Sequence, residues 1–326
     1  MKARLGTFGV MSPRTLSVLA AALVGIASLP SEAWAQNRQQ EPRPVIGEHR
    51  LIWNPFTLSP YPRTSVRNLT GGGVFMNAEF VPSFEIGDTT MAATKGNILY
   101  AELEYEYMHQ VQDWLGDGVR LGGLARLGTD AGGILAQGVT AITGYELGWL
   151  MKVYEGETFV LSGTAVLSND GVTDVNLLRW VRGIVEGEDQ PLTDSGPQLR
   201  GRGGVRGAWG INRTWGLQFQ SELGYGQVGL ENPDGKLFWD NALSVSLDLH
   251  PSTGAPIGFV LSSSSRDFPR EGGDPDVRTV DFGLRTAYTG SDNFLIALDT
   301  NWNGFELEGG DDVGLFRAGL SLQFFF

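Results

Sequence analysis

Leu320-Ser321-Leu322-Gln323-Phe324-Phe325-Phe326 ends the sequence, and its parity decides how the rest is read. Leu320, Leu322, Phe324 and Phe326 share one face, while Ser321 and Gln323 share the other. Successive side chains of a strand point to opposite faces, so the segment predicts a β-strand with one apolar and one polar side. A terminal aromatic ring suits the headgroup region of a bilayer. Strands cross a bilayer only when closed into a barrel, since an open edge leaves backbone groups unpaired in lipid.

The closing strand resembles the C-terminal signature of bacterial outer-membrane proteins, whose last strand ends in Phe. The resemblance covers about ten residues and implies a transmembrane antiparallel up-and-down β-barrel. It also implies that Phe324 and Phe326 are the signal read by the barrel-assembly machinery. At the other end, Lys2, Arg4 and Arg14 precede an apolar run from Leu16 to Leu29, and Ala33-Trp34-Ala35 offers the small-x-small site of signal peptidase. Residues 1–35 therefore read as a cleaved secretory signal, begun at Met1 or Met11. The run is broken by Gly25 and Pro30 and is too short to anchor as a helix. The localisation implied is the outer membrane of a Gram-negative-type bacterium.

Signal removal takes away three basic residues and Glu32, making the formal charge, −13 for the whole chain, two units more negative. That argues against a nucleic-acid partner. With no cysteine there is neither a disulfide framework nor a thiol metal site.

Residues 36–71 read as a polar, Pro-rich periplasmic leader with one apolar island, Leu51-Ile52-Trp53-Asn54-Pro55-Phe56. The island either plugs the periplasmic mouth or rests on the rim as a poorly ordered arm; the second reading is adopted. Residues 72–326 read as the barrel. Period-two stretches fall at about 72–85, 98–111, 118–128, 138–153, 158–168, 198–209, 214–226, 238–249, 256–266, 278–289, 293–303 and 315–326. The count is twelve, with ten or fourteen also fitting the pattern. Short links alternate with long, Gly- and Asp-rich ones, as in barrels with short periplasmic turns and longer outward loops. Aromatic residues sit at strand ends, with Trp149, Trp209, Trp215, Tyr288, Phe324 and Phe326 toward the periplasm. Phe84, Tyr225, Trp239 and Trp302 lie toward the exterior.

Giving the apolar parity to lipid leaves Glu79, Glu102, Glu104, Glu106, Arg120, Arg126, Glu146, Arg200, Arg202, Arg206, Glu222, Arg285 and Arg317 to line the lumen. Two arrangements remain open. Neighbouring acids and bases pair and neutralise one another, or an acidic and a basic wall face each other across water and create a transverse field. In the second, Arg200, Arg202 and Arg206 form a ladder that guides a carboxylate or phosphate.

The link after the fifth strand has helical spacing: Asp174 caps a run through Val175, with Leu178, Arg179, Val181, Arg182 and Val185 as candidates for a constriction helix. By position alone this third external loop is similar to the porin loop that folds inward. Enzyme chemistry finds little support. The family of twelve-stranded outer-membrane phospholipases uses Ser, His and Asn, yet His49, His109 and His250 lack such a setting. Omptin-like protease chemistry needs a His among the outer loops, where none occurs. Glu306, Glu308, Asp311, Asp312, Asp274 and Asp276 match no dedicated calcium loop. No catalytic residue, metal or cofactor is assigned. The reading is a channel or transporter for small solutes of unknown identity. The alternative is a non-conducting structural or adhesive barrel, and the expected partners are outer-membrane lipids and lipopolysaccharide.

Overall fold

The computed structural model describes residues 43–326 except 82–83, 87–88, 92–93, 129–138, 176–192, 228–234, 269–276 and 307–311. Twelve antiparallel strands close into a barrel. They are β1 (Ser65–Val81), β2 (Thr94–Gln112), β3 (Leu115–Gly128), β4 (Val139–Glu155), β5 (Phe159–Val175) and β6 (Thr193–Gly210). Then follow β7 (Trp215–Gln227), β8 (Gly235–Asp248), β9 (Ile257–Phe268), β10 (Val277–Tyr288), β11 (Phe294–Glu306) and β12 (Asp312–Phe325). Each strand pairs with its neighbours in sequence, and β12 returns to β1. Every strand exceeds the roughly 9–11 residues that cross a bilayer at a tilt, so the ends project. Closure leaves no edge of unpaired backbone.

Side-chain parity gives the barrel two surfaces. Along β7, Leu223 and Tyr225 are exposed on the outside while Gln218 and Glu222 are buried within. Trp149, Trp209, Trp215, Tyr225, Tyr288, Trp239, Trp302, Phe324 and Phe326 are all exposed aromatic residues of the outer surface. A contiguous apolar exterior with aromatic residues near strand ends is what a bilayer accommodates.

The seam requires glycine. A Cβ on Gly73 would lie 2.2 Å from the Phe316 carbonyl oxygen and 2.6 Å from the Tyr100 ring. The register there pairs Arg317 with Gly73 and Phe325 with Ser65. Glu79 lies farther along β1, beyond the paired seam and opposite Lys95 of β2.

Several strands run longer than the sequence reading gives them, and three differences bear on the site. β1 begins at Ser65, not 72, because Leu69 faces inward and Asn68 does not, which hides the alternation. Phe84 belongs to a separate hairpin, Phe84–Ile86 with Thr89–Met91, and not to a barrel strand. Asp174 and Val175 are the last residues of β5, paired with Asp194 and Thr193 of β6, so Asp174 caps no helix. The constriction-helix candidates Leu178, Arg179, Val181, Arg182 and Val185 lie outside the described residues. Among those described, the one helix is α1 (His250–Thr253), a single turn in the short β8–β9 link.

The leader corrects the reading most. Its apolar island does not rest on the rim but is buried inside the barrel. Ile46, Leu51, Ile52, Trp53 and Tyr61 form one cluster with Val160, Ala208, Val260, Ala287, Leu295, Ala297 and Phe325. Those barrel residues lie within a few positions of the short-turn ends of their strands. The apolar core is thus inside the lumen, at the short-turn end.

Candidate functional site: the lumen and its plug

Residues 43–64 enter at the short-turn end as a tight hairpin, Val45–Ile46 against His49–Arg50. Its two turn residues, Gly47 and Glu48, have φ of 52° and 68°. Positive φ at both central positions is the geometry of a two-residue type I′ turn. A Cβ on Gly47 would meet the Gly210 carbonyl oxygen at 2.6 Å, so only glycine fits against that turn. The exposed Glu48 carboxylate pairs with Arg213 in the β6–β7 link at 2.5 Å, which holds it below the usual carboxylate range.

Beyond the hairpin the chain is tied to the wall by hydrogen bonds from many strands. His49 Nε2 meets Ser246 Oγ of β8 at 2.7 Å, and Ile52 accepts at its carbonyl from Gln218 Nε2 of β7 at 2.9 Å. Trp53 donates from Nε1 to Gln323 Oε1 of β12 at 2.6 Å and sets its ring edge-on to Phe325, with centroids 5.5 Å apart. The Trp53 carbonyl accepts from Arg285 of β10. Thr57 bonds Ser244 of β8 at 2.7 Å, and Ser162 of β5 donates to the Pro60 carbonyl at 2.5 Å. Burial depresses the His49 pKa, so the ring that bonds Ser246 is neutral at pH 7. Burial also brings Arg43 down to about 10, still protonated, with Asp248 at 3.5 Å as its partner.

The leader reverses at Asn54-Pro55-Phe56-Thr57. Asn54 Oδ1 accepts from the Phe56 and Thr57 amides at 2.8 and 3.1 Å, an Asx turn that satisfies backbone donors inside the barrel. Phe56 stands at the apex, its ring flanked by the guanidinium groups of Arg266 and Arg317, each 6.0 Å from the centroid.

A network of charges runs along the leader and beyond its apex, with Arg67, Glu106 and Arg206 sharing one pocket with Trp53, Leu58 and Tyr61. Arg67 binds Glu104 and, at 2.6 Å, Glu106. Arg120 reaches Glu104, Glu106 and Glu146 at 3.7, 3.5 and 3.1 Å. Arg202 joins Glu146 at 2.6 Å and Glu222 at 3.1 Å, and Arg206 joins Glu222 at 2.9 Å. Across the lumen Arg285 grips Asp299 through two bonds of 2.7 and 2.8 Å, and Arg317 meets Glu102 at 3.3 Å. Arg202 and Arg206 are therefore held by carboxylates and do not stand as an open ladder; Arg200 donates to the Gln227 carbonyl at 3.4 Å. Each of these bases meets an acid on a nearby strand, and no acidic wall faces a basic one across these pairs. Glu79 and Arg126 lie in β1 and β3, with side chains outside the described residues.

Wetness varies along the lumen. The side chains of Glu104, Arg120, Glu146 and Arg202 keep 18–26% exposure, whereas Arg67, Arg206 and Glu222 of the same network keep 3%, 6% and 1%, as dry as Arg285 and Asp299 at 1% and 4%. Arg67, buried yet paired with two glutamates, went unnoticed in the sequence because it precedes the recognisable start of β1. The inward-facing Gln218, Ser244, Ser246 and Gln323 carry no charge to flag them. Their role appears only when the leader is seen between them.

By sequence the chain matches no known protein-family model and no curated relative. Among solved structures, the COG4313 outer membrane channel from Pseudomonas putida F1 aligns over 85% of this chain and 100% of its own, with TM-score 0.52 and 9% identity. The chain has the fold of bacterial outer-membrane β-barrels. The translocator domain of autotransporter NalP from Neisseria meningitidis covers 96% of this chain and 98% of its own at TM-score 0.47 and 8% identity. A KdgM porin in complex with disordered oligogalacturonate covers 79% and 99% at TM-score 0.43 and 7% identity.

Proposed function

We propose that the protein is an outer-membrane channel for small solutes whose periplasmic outlet is closed by its own leader. The single observation that supports this is the change of character along the lumen. A vestibule lined by charges of both signs ends on a segment held to the wall by an apolar cluster, by ion pairs at its entrance and by neutral hydrogen bonds farther in. Each such bond contributes only about 0.5–1.5 kcal/mol net, and water can replace it when the segment leaves. A lumen filled by fixed wall side chains would have no such removable part. On this reading the short turns are periplasmic, the long links meet the exterior and lipopolysaccharide, and the apolar belt meets lipid.

The test is liposome swelling with arabinose, comparing the full mature chain with a variant lacking residues 36–63. The deletion is expected to raise the swelling rate several-fold while the barrel keeps its heat-modifiable migration on gels. A folded deletion variant that admits no sugar would sink the channel reading. It would support instead a non-conducting structural barrel, which the dry Arg285–Asp299 pair and the apolar core in the lumen favour.

A further inference from the structure

The vestibule floor holds a cavity of about 110 Å³ bounded by the leader apex, Pro55, Phe56 and Leu58, and by the walls of β3, β4 and β6–β9. Its described charged lining is balanced: Arg120, Arg202 and Arg266 against Glu146, Glu222 and Asp240. Four of these six are occupied with one another or with neighbouring carboxylates, as described above. Asp240 and Arg266 are the exceptions. They are directly opposed across β8 and β9 and attract one another, yet no hydrogen bond or close ion pair joins either to the other or to another described residue, and Arg266 is exposed. Arg266 also lies over the face of Phe56, 6.0 Å from the ring centroid.

We propose that this cavity binds a small zwitterion, an amino acid or its like, with the carboxylate on Arg266 and the ammonium on Asp240. The assignment rests on the channel reading, since it names the solute class that the vestibule would select. Charge balance carries the choice of class. A lone anion would gain Arg266 but meet Asp240 beside it, and a lone cation would meet the reverse; a net-neutral ligand with both charges satisfies both groups at once. A guanidinium presents a planar fork suited to a carboxylate, and the ammonium supplies three donors to the acid. The apolar ring of Phe56 leaves room for a short aliphatic side chain and offers it no hydrogen bond. The cavity volume limits the ligand to few heavy atoms.

Calorimetric titration of the purified full chain in detergent, with L-alanine, propionate and propylamine as probes, tests the site. Alanine is expected to bind at least roughly ten-fold more tightly than either single-charge analogue, because each loses one charge-assisted hydrogen bond. Arg266→Gln and Asp240→Asn should each reduce alanine binding by a similar factor, with Arg266→Lys retaining part of it. Equal affinity for alanine and propionate, no alanine binding, or unchanged alanine binding in both substituted proteins would overturn the proposal. If a variant fails to assemble, the comparison of probes on the unmodified chain decides alone. Sugar flux through the leader-deleted barrel with no alanine binding removes the site and keeps the channel; alanine binding with no flux supports the site and removes the channel.

Discussion

Replacing Trp53 with alanine should unseat the plug without opening the barrel wall. Trp53 is 3% exposed, and its indole is held by Phe325 on one side and Gln323 on the other. Truncating a buried Trp removes the transfer energy of the ring and leaves a cavity, together about 3–5 kcal/mol. The loss also strands the Gln323 carbonyl oxygen, although water entering from the lumen can satisfy it. Those contacts exist only when the leader is docked, so nearly all of the loss falls on the docked state. At about 1.4 kcal/mol per factor of ten, the undocked-to-docked ratio should rise roughly a hundred- to a few-thousand-fold. Planar-bilayer recordings measure this directly as the ratio of open to closed time, with the variant lacking residues 36–63 defining the fully open level. An unchanged ratio in a Trp53→Ala barrel that still shows heat-modifiable migration would refute the claim that these contacts close the pore. A lowered open level, equal in leader-deleted and full-length forms, would refute it as well, since the closure would then lie in the wall.

Three further outcomes follow from the same geometry. His49 is buried and neutral, with Ser246, Asp248, Arg43 and the Arg213 carbonyl around it. Its docked pKa lies below 6.5, so the undocked leader binds the extra proton and docking weakens as pH falls below about 6.5. Open time should therefore rise between pH 7 and 5.5, and His49→Gln should flatten that rise. The window stays above 4.5, the ordinary value of the Glu48 carboxyl, whose pairing with Arg213 is lost only at lower pH. Arg285→Ala leaves Asp299 buried without its partner and releases the Trp53 carbonyl, a loss of about 3–5 kcal/mol. Urea unfolding followed by gel migration should show that loss, and Arg285→Met with Asp299→Leu should recover much of it; equal instability of the single and double variants would contradict the pairing argument. If Phe324 and Phe326 are the assembly signal proposed for the closing strand, deletion of Phe326 should lower the membrane-inserted fraction in cell fractionation and leave conductance per inserted barrel unchanged. Full insertion without Phe326 would remove that role.

The twelve strands, the two surfaces and the aromatic strand ends could be read from the chain because each rests on local periodicity. Ser321 and Gln323 alternate with Leu320, Leu322 and Phe324 whatever lies across the lumen, and lipid demands the apolar parity everywhere along the belt. Parity also assigns Arg120, Glu146, Arg202 and Glu222 one side of the wall, and these four join in one network of ion pairs. Which acid would meet which base depended on register between strands, and single-strand parity carries no register. The leader was misjudged for a related reason. Its island, Leu51 to Phe56, has no period of its own, and its fate turns on partners such as Val160, Val260, Leu295 and Phe325. Those are apolar residues on the face that parity assigns to polar side chains. Seen one strand at a time they look like irregularities; brought together by closure they form an apolar socket of the right size for Trp53. Sequence by itself thus determined the wall, because a wall answers to lipid and to its own backbone. Only the tertiary structure decided what fills it, because burial inside a closed barrel is a property of all twelve strands at once.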